Sequence, residues 1–174
     1  AKIYYLDKSE SISCSNNKEV EKNNYEQTDR IWYNGGKVNL EYGIIEHIKK
    51  DERTEFPKNS KFINHYITGC CMFAPVEVFE ELDGFDDRFF MYCEDVDFSL
   101  RAAKKNIWLG MCPQSVLWHR VSYSLGNEFS YRKIISKLSS LFKLYNKHVK
   151  WHIRYFSFCL LLFRMLISGI KSRF

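Results

Sequence analysis

Residues 68–106 read TGCCMFAPVEVFEELDGFDDRFFMYCEDVDFSLRAAKKN, and the punctuation of this stretch decides the fold class. Pro75 suits the first turn of a helix, where its missing N–H would have no partner in any case. Val76, Phe79 and Leu82 then recur at helical spacing until Gly84 supplies a stop, which makes a short helix. Asp86-Asp87 leads into the apolar run Phe89–Tyr92, and Glu94–Lys105 reads as a second helix with Val96, Leu100 and Ala103 on its buried face. Upstream, Phe62 to Phe73 reads as a strand broken at Gly69, and downstream Ile107–Met111 and Ser115–His119 read as strands on either side of Pro113. Strands alternating with helices predict an α/β fold.

Farther out, Lys2 to Leu6 reads as a short strand that opens the chain abruptly, and the expectation is that the front of a larger protein is missing. Asp7 to Arg30 is rich in Ser, Asn, Lys and Glu, has too little apolar content to bury itself, and reads as a surface loop. Ile31-Trp32-Tyr33 is a brief apolar run that stops at Asn34-Gly35-Gly36, a turn in which both glycines tolerate positive φ. Residues 51–61 read as a second loop, and the pattern from about Phe129 to Ile170 is helical with a break near Lys150.

The chain has 174 residues, enough for one domain with a real core. Its net charge of +5 conceals an asymmetry: residues 1–100 carry 12 Lys+Arg against 20 Asp+Glu, whereas residues 101–174 carry 14 against Glu128 alone. A basic region of this kind can face nucleic acid, anionic lipid or a phosphorylated substrate. No recognised nucleic-acid motif accompanies it, so nucleic acid is not expected as a partner. The six cysteines form no CxxC pair and no Cys/His zinc spacing, which fits a reduced, cytoplasmic setting with several of them buried as small hydrophobes.

The densest carboxylate group is Asp86, Asp87, Glu94, Asp95 and Asp97. Glu94, Asp97 and Arg101 share one helix face, and Asp97 can pair with Arg101 four residues on, which makes Arg101 a structural partner. Asp95 lies off both that face and the apolar stripe, in the first helical turn, where the helix dipole favours an ionised carboxylate. A general base gains from that position. Spacing alone also allows the plainer reading of acidic residues that start a helix. Asp95-Val96-Asp97 is literally an Asp-x-Asp, yet two residues one apart at a helix start point in different directions, which argues against a shared cation.

The string 68–106 closely resembles the C-terminal half of bacterial family 2 glycosyltransferases of the rhamnosyltransferase-like type. The resemblance rests on the Thr68-Gly69 strand, the helix after Pro75, Gly84-Phe85-Asp86-Asp87-Arg88-Phe89-Phe90, and the Glu94-Asp95-Val96-Asp97 helix, with Asp87 standing where the family usually has Glu. Upstream, Ile31-Trp32-Tyr33-Asn34-Gly35-Gly36-Lys37 is similar to the family's tryptophan-glycine-glycine segment; downstream, Pro113, His119 and Ser124 match its Pro, His and Ser positions. Two departures stand out. Lys105-Asn106 replaces the glycine turn after the second helix, where asparagine tolerates the left-handed conformation, and the Arg-Asn pair expected near Tyr131–Lys143 is not evident.

The resemblance implies the acceptor side of a GT-A fold over residues 1–128, followed by a helical extension, basic and then apolar, over 129–174. It implies transfer of a sugar from a nucleotide-sugar donor to a saccharide or lipid-linked acceptor with inversion, Asp95 as general base and Glu94 in support. Trp32, Gly35, Gly36 and Gly69 would line the acceptor cleft, although a lone tryptophan serves equally in a core. His119 either approaches a metal or diphosphate or is a strand-end histidine with a backbone partner. A divalent cation, Mg or Mn, is expected in the whole enzyme on an upstream Asp-x-Asp that this chain lacks, so the isolated chain would be inactive. The alternative is a non-catalytic remnant that binds acceptor, membrane or another subunit.

In the extension, Arg132, Lys133, Lys137, Lys143, Lys147, Lys150 and Arg154 punctuate a helical pattern before the run Tyr155–Phe163, which Arg164 interrupts. A span needs about 20 predominantly apolar residues, so a helix lying on an anionic membrane surface, on the inner face of the plasma membrane, is one expectation and a helix packed on a missing domain is the other.

Overall fold

β1 (Lys2–Lys8) is the middle strand of the larger sheet, antiparallel to β2 (Tyr25–Tyr33) and parallel to β5 (Val116–His119). The computed structural model describes residues 2–8, 25–48, 66–110, 112, 114–120 and 131–171. β3 (Gly36–Asn39) and β4 (Ile44–His47) form a separate antiparallel hairpin, and an isolated bridge joins Gly36 to Tyr66. The helices are α1 (Val76–Glu81), α2 (Glu94–Lys104), α3 (Tyr131–His148) and α4 (Trp151–Lys171). The α/β character, Pro75 at the start of α1, the second helix, and the break near Lys150 between α3 and α4 all agree with the sequence reading.

α2 is the keystone because it is packed on two sides. Val96 and the preceding Cys93 enter the main core with Ile3, Tyr33, Tyr66, Leu141, Leu144, Tyr145 and Leu161. Phe98 and Ala102 enter a second cluster with Leu82, against which Val78, Phe79, Ile107 and Leu109 pack. Burying a large apolar side chain contributes about 1.5–3 kcal/mol, so the two clusters hold α2 from both flanks. Ala103, expected on the buried face, is exposed, and Ala102 is fully buried instead. A single apolar stripe presumes a single packed face, which this helix does not have.

Other expectations are corrected. β2 begins at Tyr25, inside the stretch read as loop, because pairing with β1 orders a polar run that has little strand propensity of its own. From Tyr66 onward the Phe62–Phe73 strand is reduced to one bridge, and Ile107–Gly110 is not a ladder strand. Of the described cysteines, Cys93 is buried while Cys70, Cys112 and Cys159 are exposed. The loop expected at 51–61, residues 62–65, Pro113, Ser124 and the 128/129 boundary lie outside the described residues. Gly84 and Asn106 take left-handed backbone, φ 59° in each, as their turns require. In the Asn34-Gly35-Gly36 turn only Gly35 has positive φ, 104°; Gly36 is in the strand, where a Cβ would stand 2.1 Å from the Tyr66 ring.

Candidate functional site

The amino end of α2 is reached through a strained approach. Tyr92 and Cys93 both have φ 67°, a left-handed conformation that costs an ordinary residue about 1–2 kcal/mol. Cys93 is held there by burial, which also pushes its thiol up to about 12. The sharp entry directs the carboxylates of Glu94 and Asp95 toward residues 68–70. Gly69 N–H donates to Asp95 Oδ2 at 2.9 Å, and Val96 N–H donates to Oδ1 at 2.8 Å. Both carboxylate oxygens of Asp95 are thus held by backbone amides at the amino end of the helix.

Segment 66–70 has few ladder bonds because side chains satisfy its backbone. Tyr33 Oη donates to the Tyr66 carbonyl at 2.8 Å and accepts from Thr68 N–H at 3.2 Å. Ser99 Oγ donates to the Asp95 carbonyl at 2.7 Å and accepts from Ile67 N–H at 3.0 Å, so it latches the segment to the first turn of α2. Gly69 is exposed and its role is to leave room: a Cβ there would lie 3.6 Å from Asp95 Cβ and 4.0 Å from both Asp95 Oδ2 and Glu94 Oε1. Glu94 is half-buried, its Oε2 is buried with no protein partner among the described residues, and burial raises its carboxyl above the usual range.

Asp97, two residues along, is wholly engaged. Its side chain is fully buried and accepts from Arg101 Nε at 2.8 Å, Lys147 Nζ at 2.8 Å and His148 Nε2 at 2.7 Å. Lys104 Nζ lies 3.1 Å from His148 Nδ1, and an ammonium only donates, so Nδ1 accepts and the ring proton resides on Nε2, facing Asp97. Burial alone would raise the Asp97 carboxyl, but the hydrogen bonds from His148, Lys147 and Arg101 outweigh it and lower the value to about 2. Arg101 also donates to the Leu82 and Gly84 carbonyls, satisfying the end of α1, as a structural partner should. Lys147 reaches Asp86 Oδ2 at 2.6 Å, and Asp86 is held well below the usual carboxylate range by Arg88 first and Lys147 second.

The remaining expected site residues fall into two groups. Gly36 and Gly69 connect to Asp95 through Tyr66, Tyr33 and the 66–70 segment. Trp32 and His119 form a second group: their ring centroids are 4.7 Å apart, and His47 packs on Trp32 at 4.8 Å. This group meets the first through Tyr33, 6.2 Å from Trp32. Burial lowers the His119 pKa and favours the neutral ring. Among the described residues no three His, Cys, Asp or Glu side chains gather as a metal site, so His119 has no companion ligands here.

Sequence reasoning missed Tyr33, Ser99, Lys147 and His148, whose roles depend on long-range contacts. It treated Asn34 only as a turn residue, yet both polar atoms of its buried side chain have no protein partner among the described residues.

The chain is similar in sequence to known proteins. The model of Glycosyl transferase family group 2 matches residues 47–173. An N-acetylglucosaminyl-diphospho-decaprenol L-rhamnosyltransferase of Mycobacterium tuberculosis (strain ATCC 25618 / H37Rv) is 30% identical over 87 residues, covering 49% of this chain and 28% of that protein. Rhamnosyltransferase WbbL of Escherichia coli (strain K12) is 26% identical over 114 residues, 64% of this chain and 37% of its own length. The low-salt glycan biosynthesis hexosyltransferase Agl10 of Haloferax volcanii is 39% identical over 54 residues, 31% of this chain and 17% of its own length. The chain thus matches well under half the length of each of these relatives, and no solved structure matches it significantly. A family match over residues 47–173 takes in α2, the Asp97 cluster, α3 and α4, and on it the chain belongs to glycosyl transferase family group 2.

Proposed function

We propose that this chain forms the acceptor side of an inverting sugar-transfer site of GT-A type, with Asp95 as general base. The observation that carries the reading is the contrast within one helix turn: Asp97 is consumed by three cationic or N–H donors, while Asp95 is steadied by two backbone amides beside Glu94 Oε2, which has no protein partner among the described residues. In the proposed step, the Asp95 carboxylate takes the proton of an acceptor hydroxyl. The acceptor oxygen bonds to the anomeric carbon as the bond from that carbon to the nucleoside diphosphate oxygen breaks. The electron pair leaves with the diphosphate and the anomeric centre inverts.

Glu94, with its carboxyl raised by burial, holds the acceptor by hydrogen bonding. Gly69 leaves space for the sugar above the two carboxylates, whereas Gly35 and Gly36, expected on the acceptor cleft, are buried, and Gly36 bears on the site only through the Tyr66 ring that covers it. The acceptor class proposed is a saccharide, lipid-linked in keeping with the name of the mycobacterial relative, and the donor is a nucleotide sugar. A divalent cation would neutralise the departing diphosphate. Among the described residues no three His, Cys, Asp or Glu side chains gather to hold it.

The test is Asp95→Asn in the longest expressed form of the protein, assayed for transfer to a lipid-linked saccharide with thermal unfolding measured in parallel. Unchanged transfer by a folded variant would remove Asp95 from the role of base.

A further inference from the structure

Helices in folded domains turn an apolar stripe inward, as α4 does with Ile153, Phe158, Leu161 and Met165, but α4 carries a further apolar stripe outward. Its buried edge is Ser157 and Leu161, pressed so closely on the β3–β4 turn that a Cβ on Gly43 would stand 2.6 Å from the Leu161 amide nitrogen. Arg164 and Glu46 pair at 3.6 Å on the same contact. Trp151, Tyr155, Phe156, Phe163 and Leu166 point outward, each between 60% and 78% exposed. At 3.6 residues per turn they fall within one arc of roughly 140°.

α3 carries a second outward stripe, Tyr131, Ile134, Ile135, Leu138 and Phe142, at helical spacing. Phe90, 89% exposed, extends it, and a hollow of about 480 Å³ lies between Phe90, Tyr131 and Ile135 with Arg132 and Lys143 on its walls. The Phe142 and Phe158 rings, 5.8 Å apart, join the two helices. Residues 131–171 contain nine Lys and Arg and no Asp or Glu; Lys133 is buried and Lys147 and Arg164 are paired with Asp97 and Glu46, while Arg132, Lys137, Lys143 and Lys150 are exposed. An apolar, aromatic surface edged by cations and free of acids complements a layer of anionic headgroups over hydrocarbon. Spanning is not an option for it: among the described residues no helix is long and apolar enough to cross a membrane.

We propose that the outward faces of α3 and α4, continued by Phe90, dock on an anionic phospholipid bilayer. The consequence for catalysis rests on the acceptor reading above: Phe90 lies four residues before Glu94, so a lipid-linked acceptor would meet Asp95 from the bilayer side. The docking itself does not depend on transfer chemistry and is measured without it.

The experiment is sedimentation of the full chain with vesicles of phosphatidylcholine alone and of phosphatidylcholine mixed with phosphatidylglycerol. The chain is expected to pellet with the mixed vesicles and to partition at least about tenfold less onto phosphatidylcholine alone. Trp151→Ser with Phe163→Ser should abolish pelleting with an unchanged circular dichroism spectrum, and Trp151→Phe should retain it. Arg132→Glu with Lys137→Glu should lower partitioning by about fivefold or more per charge while leaving the fold intact. Recovery of the chain in the supernatant with both vesicle types would overturn the proposal, as would wild-type pelleting by the Trp151/Phe163 variant. A concentration-dependent dimer lost in that variant, with no vesicle binding, would assign the same face to a second copy of the chain and equally overturn it.

Discussion

Asp95 and Asp97 share a helix, a charge and nearly a position, and their surroundings make them opposites. Asp95 stands at the open end of α2, held by two backbone amides and bordered by a glycine that keeps the space above it clear. Asp97 is sealed between α2 and α3, where Arg101, Lys147 and His148 use its lone pairs. A buried carboxylate with three donors is fixed in ionisation and orientation, which suits a joint between helices. A carboxylate that keeps an open side can meet a substrate. The difference comes from one step of about 200° around the helix, which sends one side chain to the 66–70 segment and the other to α3.

Paired substitutions break this comparison if it is wrong. Asp95→Asn should lower transfer by about 10²–10⁴-fold, the usual contribution of general base catalysis, and lose no more than about 1–2 kcal/mol in urea unfolding, because the amide oxygen keeps one backbone N–H while the NH2 cannot accept from the other. Asp97→Asn should do the reverse and lose about 3–5 kcal/mol in urea unfolding, because it takes the buried charge from the Arg101–Lys147–His148 cluster and leaves Lys147 with Asp86 alone. A destabilised Asp95→Asn together with a stable Asp97→Asn would invert the two roles.

The acid limb of stability sharpens the point. The Asp97 carboxyl falls from an ordinary 3.8 to about 2 on folding, so its contribution is fully present above about pH 4 and is lost as pH falls through 2. Stability measured by urea titration between pH 5 and pH 2 should therefore decline in the wild type, and the decline should be shallower in Asp97→Asn.

Two glycines give smaller effects of different kind. Gly36→Ala drives a Cβ into the Tyr66 ring and should cost about 1–3 kcal/mol, as overpacking does, and the displaced ring would loosen the segment that presents Gly69 to Asp95. Gly69→Ala meets only ordinary van der Waals contacts and should stay within about 0.5 kcal/mol of wild type. Transfer should nevertheless drop severalfold, since the methyl occupies space in front of both carboxylates. An active Gly69→Ala enzyme would show that the acceptor approaches from elsewhere.

Much of this arrangement was legible in the chain. Pro75 and Gly84 bracket α1, Asn106 takes the left-handed turn, and the i, i+4 spacing of Asp97 and Arg101 becomes an ion pair at 2.8 Å. These are local effects, decided within a few residues. The Phe62–Phe73 strand failed for a reason that spacing could not carry: beyond the Tyr66 bridge, the amides of Ile67, Thr68 and Gly69 are claimed by Ser99, Tyr33 and Asp95 in place of a neighbouring strand. β2 was hidden because its order from Tyr25 comes from β1 across a gap of 16 residues.

The sequence by itself determined the family, the α/β alternation, the helix that carries Glu94 and Asp95, and the divergence of Asp95 from Asp97, since all of these follow from motif order and helical period. Only the tertiary structure decided that Asp97 is closed and that Glu94 Oε2 is buried with no protein partner among the described residues, that Trp32 packs with His119, and that α3 and α4 each carry an outward apolar stripe besides the one in the core. Periodicity assigns residues to faces of an element, but what covers each face is settled by contacts between segments far apart in the chain, where burial and the pairing of charge are decided.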